Sequence, residues 1–283
     1  LKPQTTSQQY ACVRTKRRIL FATLIAIILG GMAGLTLLTQ EPPEPDYQGK
    51  SLSAWLGTYK FVPPTGYSID FAQFDEMTNA VMRIGTNGIP TLLRMLRAND
   101  SRLKLKFIEL ASKQHIVKLR FQPPAFYRNY LAVKGFESLG ANASNAVPEI
   151  IAIYDQNISE VSRDSAVQSL AGIGPAAQSA APAILRWISN SKEEPCYHFI
   201  LALKSIQAPS VLVLPVFIKS LKHQDSEVRL ASAFAIQALG RDAKPAVPAL
   251  LESLSDPDPD VRIFAINALK QIDPEAAAKA GIK

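Results

Sequence analysis

The residues able to do chemistry are few and scattered. Histidine occurs at His115, His198 and His223, and none has a second histidine at the spacing of a helix face. Cys196-Tyr-His198 offers two ligands, where a zinc site needs about four. Asp256, Asp258 and Asp260 match the start of a calcium loop, but the central Gly and the distal Glu of such a loop are missing. They read instead as a capped turn between two helices. No Gly-rich phosphate loop and no Gly-x-Ser-x-Gly elbow is present. The residues therefore predict no catalytic group, no metal and no cofactor. Arg163, Arg229 and Arg262 share one register, with Cys196 in the missing place, and are expected to contact neighbouring acidic turns. Sequons at Asn99, Asn142 and Asn157 matter only if the source glycosylates exported proteins.

Charge narrows the partner classes. The chain has 283 residues, of which 47% are hydrophobic and 19% charged, so extensive disorder is excluded. The net charge is +7, but residues 1–40 hold Lys2, Arg14, Lys16, Arg17 and Arg18 and no acid. The remainder is close to neutral, which argues against nucleic acid as a partner. Within it, residues 60–135 carry 12 basic and 5 acidic groups, while residues 136–283 carry 13 and 16. Arg94, Arg97, Arg102, Lys104, Lys106, Lys113, Lys118 and Arg120 form the dense section, a candidate surface for an anionic ligand or partner. The alternative is a solvated helix face.

These residues must be positioned by a repeat. Apolar runs open at Pro148, Pro182, Pro215 and Pro248, at spacings of 34, 33 and 33, with an earlier relative at Pro90. Gly140, Gly174 and Gly240 stand eight residues before three of these prolines, and Gln207 stands before the fourth. The glycine ends a first helix and the proline opens a second. Leu250, Leu251 and Leu254 share one face of such a second helix, as do Phe217, Ile218 and Leu221. Ala265 matches Ser232 and Ala268 matches Ala235, small residues that let stacked helices approach. No unit can bury its apolar face alone, so the units must stack.

The stretch SEVRLASAFAIQALGRDAKPAVPALLESLSD (226–256) and the partial repeat PDVRIFAINALKQIDPEAA resemble HEAT repeats, in the short form shared with bilin-lyase-like repeat proteins. The resemblance covers residues 126–283 strongly and 70–125 weakly. It implies an all-α, right-handed, armadillo-like solenoid over 67–283, degenerate to about 125 and regular from 126. Ser101–Lys113 would be the first helix of a degenerate repeat. HEAT proteins are usually binding scaffolds, which implies a protein partner. The runner-up is a lyase or chromophore-handling protein by analogy with the bilin lyases. The repeat-built deoxyhypusine hydroxylases bind iron through His-Glu pairs, and no His-Glu dipeptide occurs here.

Ahead of the repeats, Ile19–Leu38 runs 20 residues without a charge. As a helix this is roughly 30 Å, the thickness of a bilayer core. Residues 1–18 form a basic tail that ends in Lys16, Arg17 and Arg18. Glu41, Glu44 and Asp46 follow the apolar run, so the charge bias predicts a cytoplasmic N-terminus and a solenoid on the periplasmic or cell-surface side. A signal peptide cut before Gly34 is the alternative. The chain opens on Leu1 instead of Met, as a fragment or an unusual start codon would. Ala22, Ala26, Gly30 and Gly34 place small residues on one stripe, a packing surface for a homodimer. Residues 39–66 are a Pro-rich linker and capping segment, in which Ser51 or Ser53 caps a short helix and Trp55 covers the open end of the repeats. The expected whole is a single-pass, membrane-anchored scaffold that binds protein outside the cytoplasm.

Overall fold

The computed structural model describes residues 43–58, 71–112, 123–190 and 197–282. Apart from Pro43, these residues fall within one compact unit, Glu44–Lys283. It opens with a hairpin of β1 (Asp46–Tyr47) and β2 (Lys50–Ser51), paired antiparallel. Gln48 and Gly49 both have positive φ, 52° and 72°, as a tight primed turn requires. Helix α1 (Leu52–Leu56) follows, and the Ser51 side chain accepts from the Ala54 N–H to cap it.

The rest is a solenoid of paired helices. Pair 1 is α2 (Phe71–Ile84) and α3 (Ile89–Leu96), and α4 (Arg102–Ser112) follows it. Pair 2 is α5 (Ala125–Leu139) and α6 (Val147–Asp155), and pair 3 is α7 (Glu160–Ile173) and α8 (Ala181–Asn190). Pair 4 is α9 (Tyr197–Ser205) and α10 (Ser210–Ser220). Pair 5 is α11 (Ser226–Leu239) and α12 (Val247–Ser253), and pair 6 is α13 (Pro259–Ile272) and α14 (Pro274–Lys279). The first helices α5, α7, α9, α11 and α13 stack in chain order, and α3, α6, α10 and α12 each pack against the first helix of the next pair.

Local chemistry sets these boundaries. Side chains of Ser159, Asp225, Asp258 and Asp273 accept backbone N–H bonds at the starts of α7, α11, α13 and α14. Prolines 148 and 248 sit in the first turns of α6 and α12, where a missing N–H costs nothing. Small residues permit the stacking. Ser232, Ala235, Ala265 and Ala268 are fully buried. A Cβ added at Gly172 would lie 3.0 Å from the Glu137 Cα, so α7 needs glycine there to approach α5. At the front end, Leu52, Trp55 and Leu56 are buried as α1 packs on α2 and α5. Trp55 Nε1 donates to the Tyr47 carbonyl at 3.0 Å.

Three expectations need correction. First, Pro215 does not open a helix. It lies inside α10, which starts five residues earlier at Ser210. The carbonyl its missing N–H leaves unbonded is that of Val211, a residue 79% exposed, so water can satisfy it. Second, α4 is not the first helix of a stacked repeat. Pair 2 packs directly on pair 1, α5 against both α2 and α3, so α4 belongs to an insertion between them. Third, the membrane anchor is not supported. The span 19–38 and its stripe Ala22, Ala26, Gly30 and Gly34 lie outside the described residues, and among the described residues no helix is long and apolar enough to cross a membrane. Described helices bury one side against neighbours and carry polar residues on the other, so none is apolar all round. In α13, Ala265, Ala268 and Leu269 are buried while Asn267 and Lys270 are exposed. The transmembrane or signal-anchor helix, the membrane as partner and the single-pass, extracytoplasmic location are therefore withdrawn.

Candidate binding surface

The structure divides the basic section. Arg94 and Arg97 lie at the end of α3, and Arg102, Lys104 and Lys106 lie on α4, while Lys113, Lys118 and Arg120 are outside the described residues. Arg94 donates to the Thr91 hydroxyl at 3.1 Å, and Arg97 forms an ion pair with Glu149 of α6. Lys104 Nζ lies 2.6 Å from the Asp100 carboxylate, which also accepts from the Ala125 N–H at 2.6 Å and has Arg128 at 3.5 Å. Burial pushes the Asp100 carboxyl up, but the Lys104 and Ala125 hydrogen bonds and the Lys104 and Arg128 charges outweigh it and hold the carboxyl below the usual range. Asp100 thus ties the start of α4 to the start of α5. Arg102 and Lys106 remain exposed.

The recurring arginines act at the turns between pairs. Arg229 Nε and Nη2 each reach the Asp256 carboxylate at 2.8 Å, a bidentate pair with little exposure on either side. Arg229 Nη1 also donates to the carbonyls of His223 and Gln224, both at 2.9 Å. Arg262 repeats the second part, donating to the carbonyls of Asp256 and Pro257 at 2.7 and 3.0 Å. Asn129 stands in the same register and donates to the carbonyls of Met95 and Leu96. This register therefore satisfies carbonyls that the end of a second helix leaves without partners. The Arg229 bond holds the Asp256 carboxyl below the usual range, against burial, which would raise it. Arg163 lies 5.9 Å from the Tyr154 ring centroid, and the turn ahead of it, 191–196, is outside the described residues.

The suspected metal residues have structural partners. His198 Nδ1 lies 2.5 Å from the Asp164 carboxylate, and Asp258 caps α13 by accepting from Asp260 and Val261. Among the described residues no group of three or more His, Cys, Asp and Glu could hold a metal ion.

The sequence reading passed over the outward face of the first helices. Tyr197, Leu230 and Ile263 stand 33 residues apart, on α9, α11 and α13. Tyr197 is 37% exposed and Ile263 52%, and Leu230 is half-buried between them in register. Phe234 of α11 is also 37% exposed and packs edge-on against Phe264 of α13, with ring centroids 5.5 Å apart. Lys204 Nζ of α9 sits 4.1 Å from the Phe234 centroid. The signal was available as apolar residues recurring at one position of the first helix in pairs 4, 5 and 6, where pair 3 has Asp164. Along the second helices and the turns that end them, ion pairs link neighbours instead: Asp155 with Arg186 at 2.7 Å, and Lys222 with Glu252 at 2.6 Å.

A family model described as HEAT repeats matches residues 214–280, which span α11, α12, α13 and α14 and part of α10. No curated protein matches the chain. The architecture is typical of non-catalytic scaffolds for protein–protein interaction. Neither the structure nor the comparisons identify a protein partner, so the expectation of one is not supported as it stood.

Proposed function

We propose that the chain is a repeat-built scaffold whose first-helix face holds a segment of another protein. The observation that carries this reading is the register-matched series of exposed Tyr197, half-buried Leu230 and exposed Ile263, with Phe234 and Phe264 beside it. Contiguous apolar surface that the fold leaves in water marks an interaction site. Aromatic anchors dominate such sites. A photo-crosslinking residue at position 263 tests it, compared between the native background and one carrying Phe234→Glu. Both positions are exposed, so the variant keeps its circular dichroism. The reading expects discrete protein adducts that the glutamate removes. Adducts indifferent to the glutamate, or a small chromophore bound in place of protein, would overturn it.

A second reading is supported by Arg102 and Lys106, exposed on α4: an acidic segment docks there. It expects binding that weakens with salt and with Arg102→Glu and Lys106→Glu together.

A further inference from the structure

The first-helix face of pairs 4, 5 and 6 carries its charges in an order. Four positions of each helix, at spacings of three, four and three residues, fall on one outward line. The first holds Glu227 on α11 and Asp260 on α13, both exposed, and its counterpart in pair 4 lies outside the described residues. The second holds the apolar row Tyr197, Leu230 and Ile263, and the third Leu201, Phe234 and Asn267. The fourth holds Lys204, Gln237 and Lys270. Lys204 Nζ reaches over the Phe234 ring, and Lys270 is exposed.

The two outer acids stand apart from the turn chemistry beside them. Asp225 and Asp258 cap their helices by accepting from the N–H groups of Glu227 and Asp260. Arg229 and Arg262 are turned to the carbonyls ahead of them. The Glu227 and Asp260 side chains are left in water, one turn from Leu230 and Ile263. A first helical turn favours acids and a last turn favours bases. Stacked copies of one unit run their first helices in the same direction. The preferences of single helices therefore add up to an acidic border on one side of the apolar row and lysines on the other. Asp260 and Lys270 are separated by about 15 Å along α13. The row stops at pair 3, where Asp164 takes the apolar place and lies 2.5 Å from His198 Nδ1.

We propose that the segment held here is an amphipathic α-helix lying across α9, α11 and α13. Its flank toward the helix starts carries lysine or arginine, and its flank toward the helix ends carries aspartate or glutamate. The inference rests on the scaffold reading and says what the held segment is. The middle of a helix has no free backbone donor or acceptor. A segment that buries its own backbone against such a face must satisfy it internally, as a helix does. The width agrees. A helix with its side chains is about 10–12 Å across, so its flanks can meet both charged borders, whereas an extended strand takes up about 5 Å. The spacing agrees as well. Packed helices lie about 8–10 Å apart, close to the roughly 10.5 Å that seven residues of helix rise. Apolar residues seven apart therefore meet Tyr197, Leu230 and Ile263 in turn. Complementarity with Glu227 and Asp260 on one side, and with Lys204 and Lys270 on the other, assigns the two flanks.

The test titrates a labelled synthetic helix into the full chain by fluorescence anisotropy. A length of about 18 residues spans three rungs at about 1.5 Å per residue. The peptide carries leucine at three places seven apart, lysine on one flank, glutamate on the other, and alanine and glutamine elsewhere. Saturable binding is expected, weakened at least tenfold by Phe234→Glu. A second peptide with glutamate on both flanks should bind at least tenfold more weakly than the first. Glu227→Lys together with Asp260→Lys should reverse that order, because both borders are then basic. Both positions are exposed, and circular dichroism checks that the variants fold. Absence of saturable binding, or the same order of the two peptides on both chains, overturns the proposal. Photo-crosslinking from position 263 separates it from the scaffold reading. Adducts that Phe234→Glu removes, alongside peptides that fail to reverse, keep the face and remove the helix with its charged flanks. Adducts indifferent to Phe234→Glu remove the scaffold reading and this proposal with it.

Discussion

Pairs 4 and 5 have the same repeat length and fold it differently. Phe217 and Leu250 occupy equivalent places and both are fully buried, so the interior is conserved between them. In pair 5, Gly240 takes φ 57° and ψ −134°, a region open to glycine, and the chain crosses to α12 through a 3-10 segment. In pair 4, Gln207 takes φ 51° and the following residues wind into α10. An α-helix rises about 1.5 Å per residue and a 3-10 helix about 2.0 Å. The same residues therefore reach less far, α10 spans 11 residues against 7 for α12, and the edge of the solenoid is left open. The pair that breaks the local rule is also the one that leaves apolar residues, Val211 and Leu212, in water.

The comparison breaks first if the shared interior is not shared in energy. Leu250→Ala should destabilise by about 2–5 kcal/mol and Phe217→Ala by about 3–5 kcal/mol, measured by urea unfolding. Because stacked units touch only their neighbours, Leu250→Ala should lower hydrogen-exchange protection in α11–α13 before α2 and α3. Equal loss along the whole chain would show the units to be coupled more widely than their contacts.

The next effect concerns a link that pair 5 makes to pair 6. Asp256→Asn removes the charge that Arg229 grips, at an expected cost of about 1.5–3 kcal/mol, the worth of hydrogen bonds to a charged group. The pH dependence has a definite sign. The folded Asp256 carboxyl lies below its ordinary value because Arg229 bonds it. Its contribution is therefore present above the unfolded value, about 3.9, and is lost as pH falls through the lower folded one. Asp100 acts in the same direction. The native chain should lose melting temperature steeply below about pH 4. The Asp256→Asn chain should start lower and lose less. Parallel acid profiles would place the acid sensitivity elsewhere.

What the sequence made legible follows from this contrast. Glycine at a helix end and proline in a first turn are backbone constraints, so Gly140, Gly240, Pro148 and Pro248 mark their boundaries wherever they occur. Pro215 misled because its position was read from spacing alone, without the glycine that makes a connector. The arginine register was visible, but which carboxylate it meets was not. Arg229 has Asp256, and its counterpart Asn129 performs only the carbonyl half. The basic section showed its charge but not its neutralisation, since Glu149 lies 52 positions beyond Arg97. The insertion holding α4 reads as a repeat by length, and only the packing of α5 on α2 and α3 excludes it. The first-helix face was hidden because a run such as Phe264-Ala265-Ile266 is as apolar on its exposed side as on its buried one.

The smallest effect sharpens the comparison most. Gly240→Ala should cost about 1–3 kcal/mol, the range for a side chain held in a region it disfavours. An added Cβ there meets nothing closer than Gln271 Nε2 at 3.8 Å, so the cost is backbone strain and not crowding. Gln207→Gly should act in the opposite sense, since it removes a side chain from a positive φ. The relief, about 1–2 kcal/mol, is offset by the larger unfolded-state freedom of glycine, about 0.5–1 kcal/mol, leaving up to about 1.5 kcal/mol of stabilisation. Melting temperature reads both changes. Hydrogen exchange at Val211–Val213 then separates two causes of the helical connector. If the missing glycine alone prevents a 3-10 segment, Gln207→Gly should lower protection there as α10 loses its first turn. If the run Val211-Leu212-Val213 itself selects the helix by burying Val213, protection should persist while stability rises. The second outcome is expected, because Val213 is fully buried and the alanines that stabilise the other connectors are absent from this one.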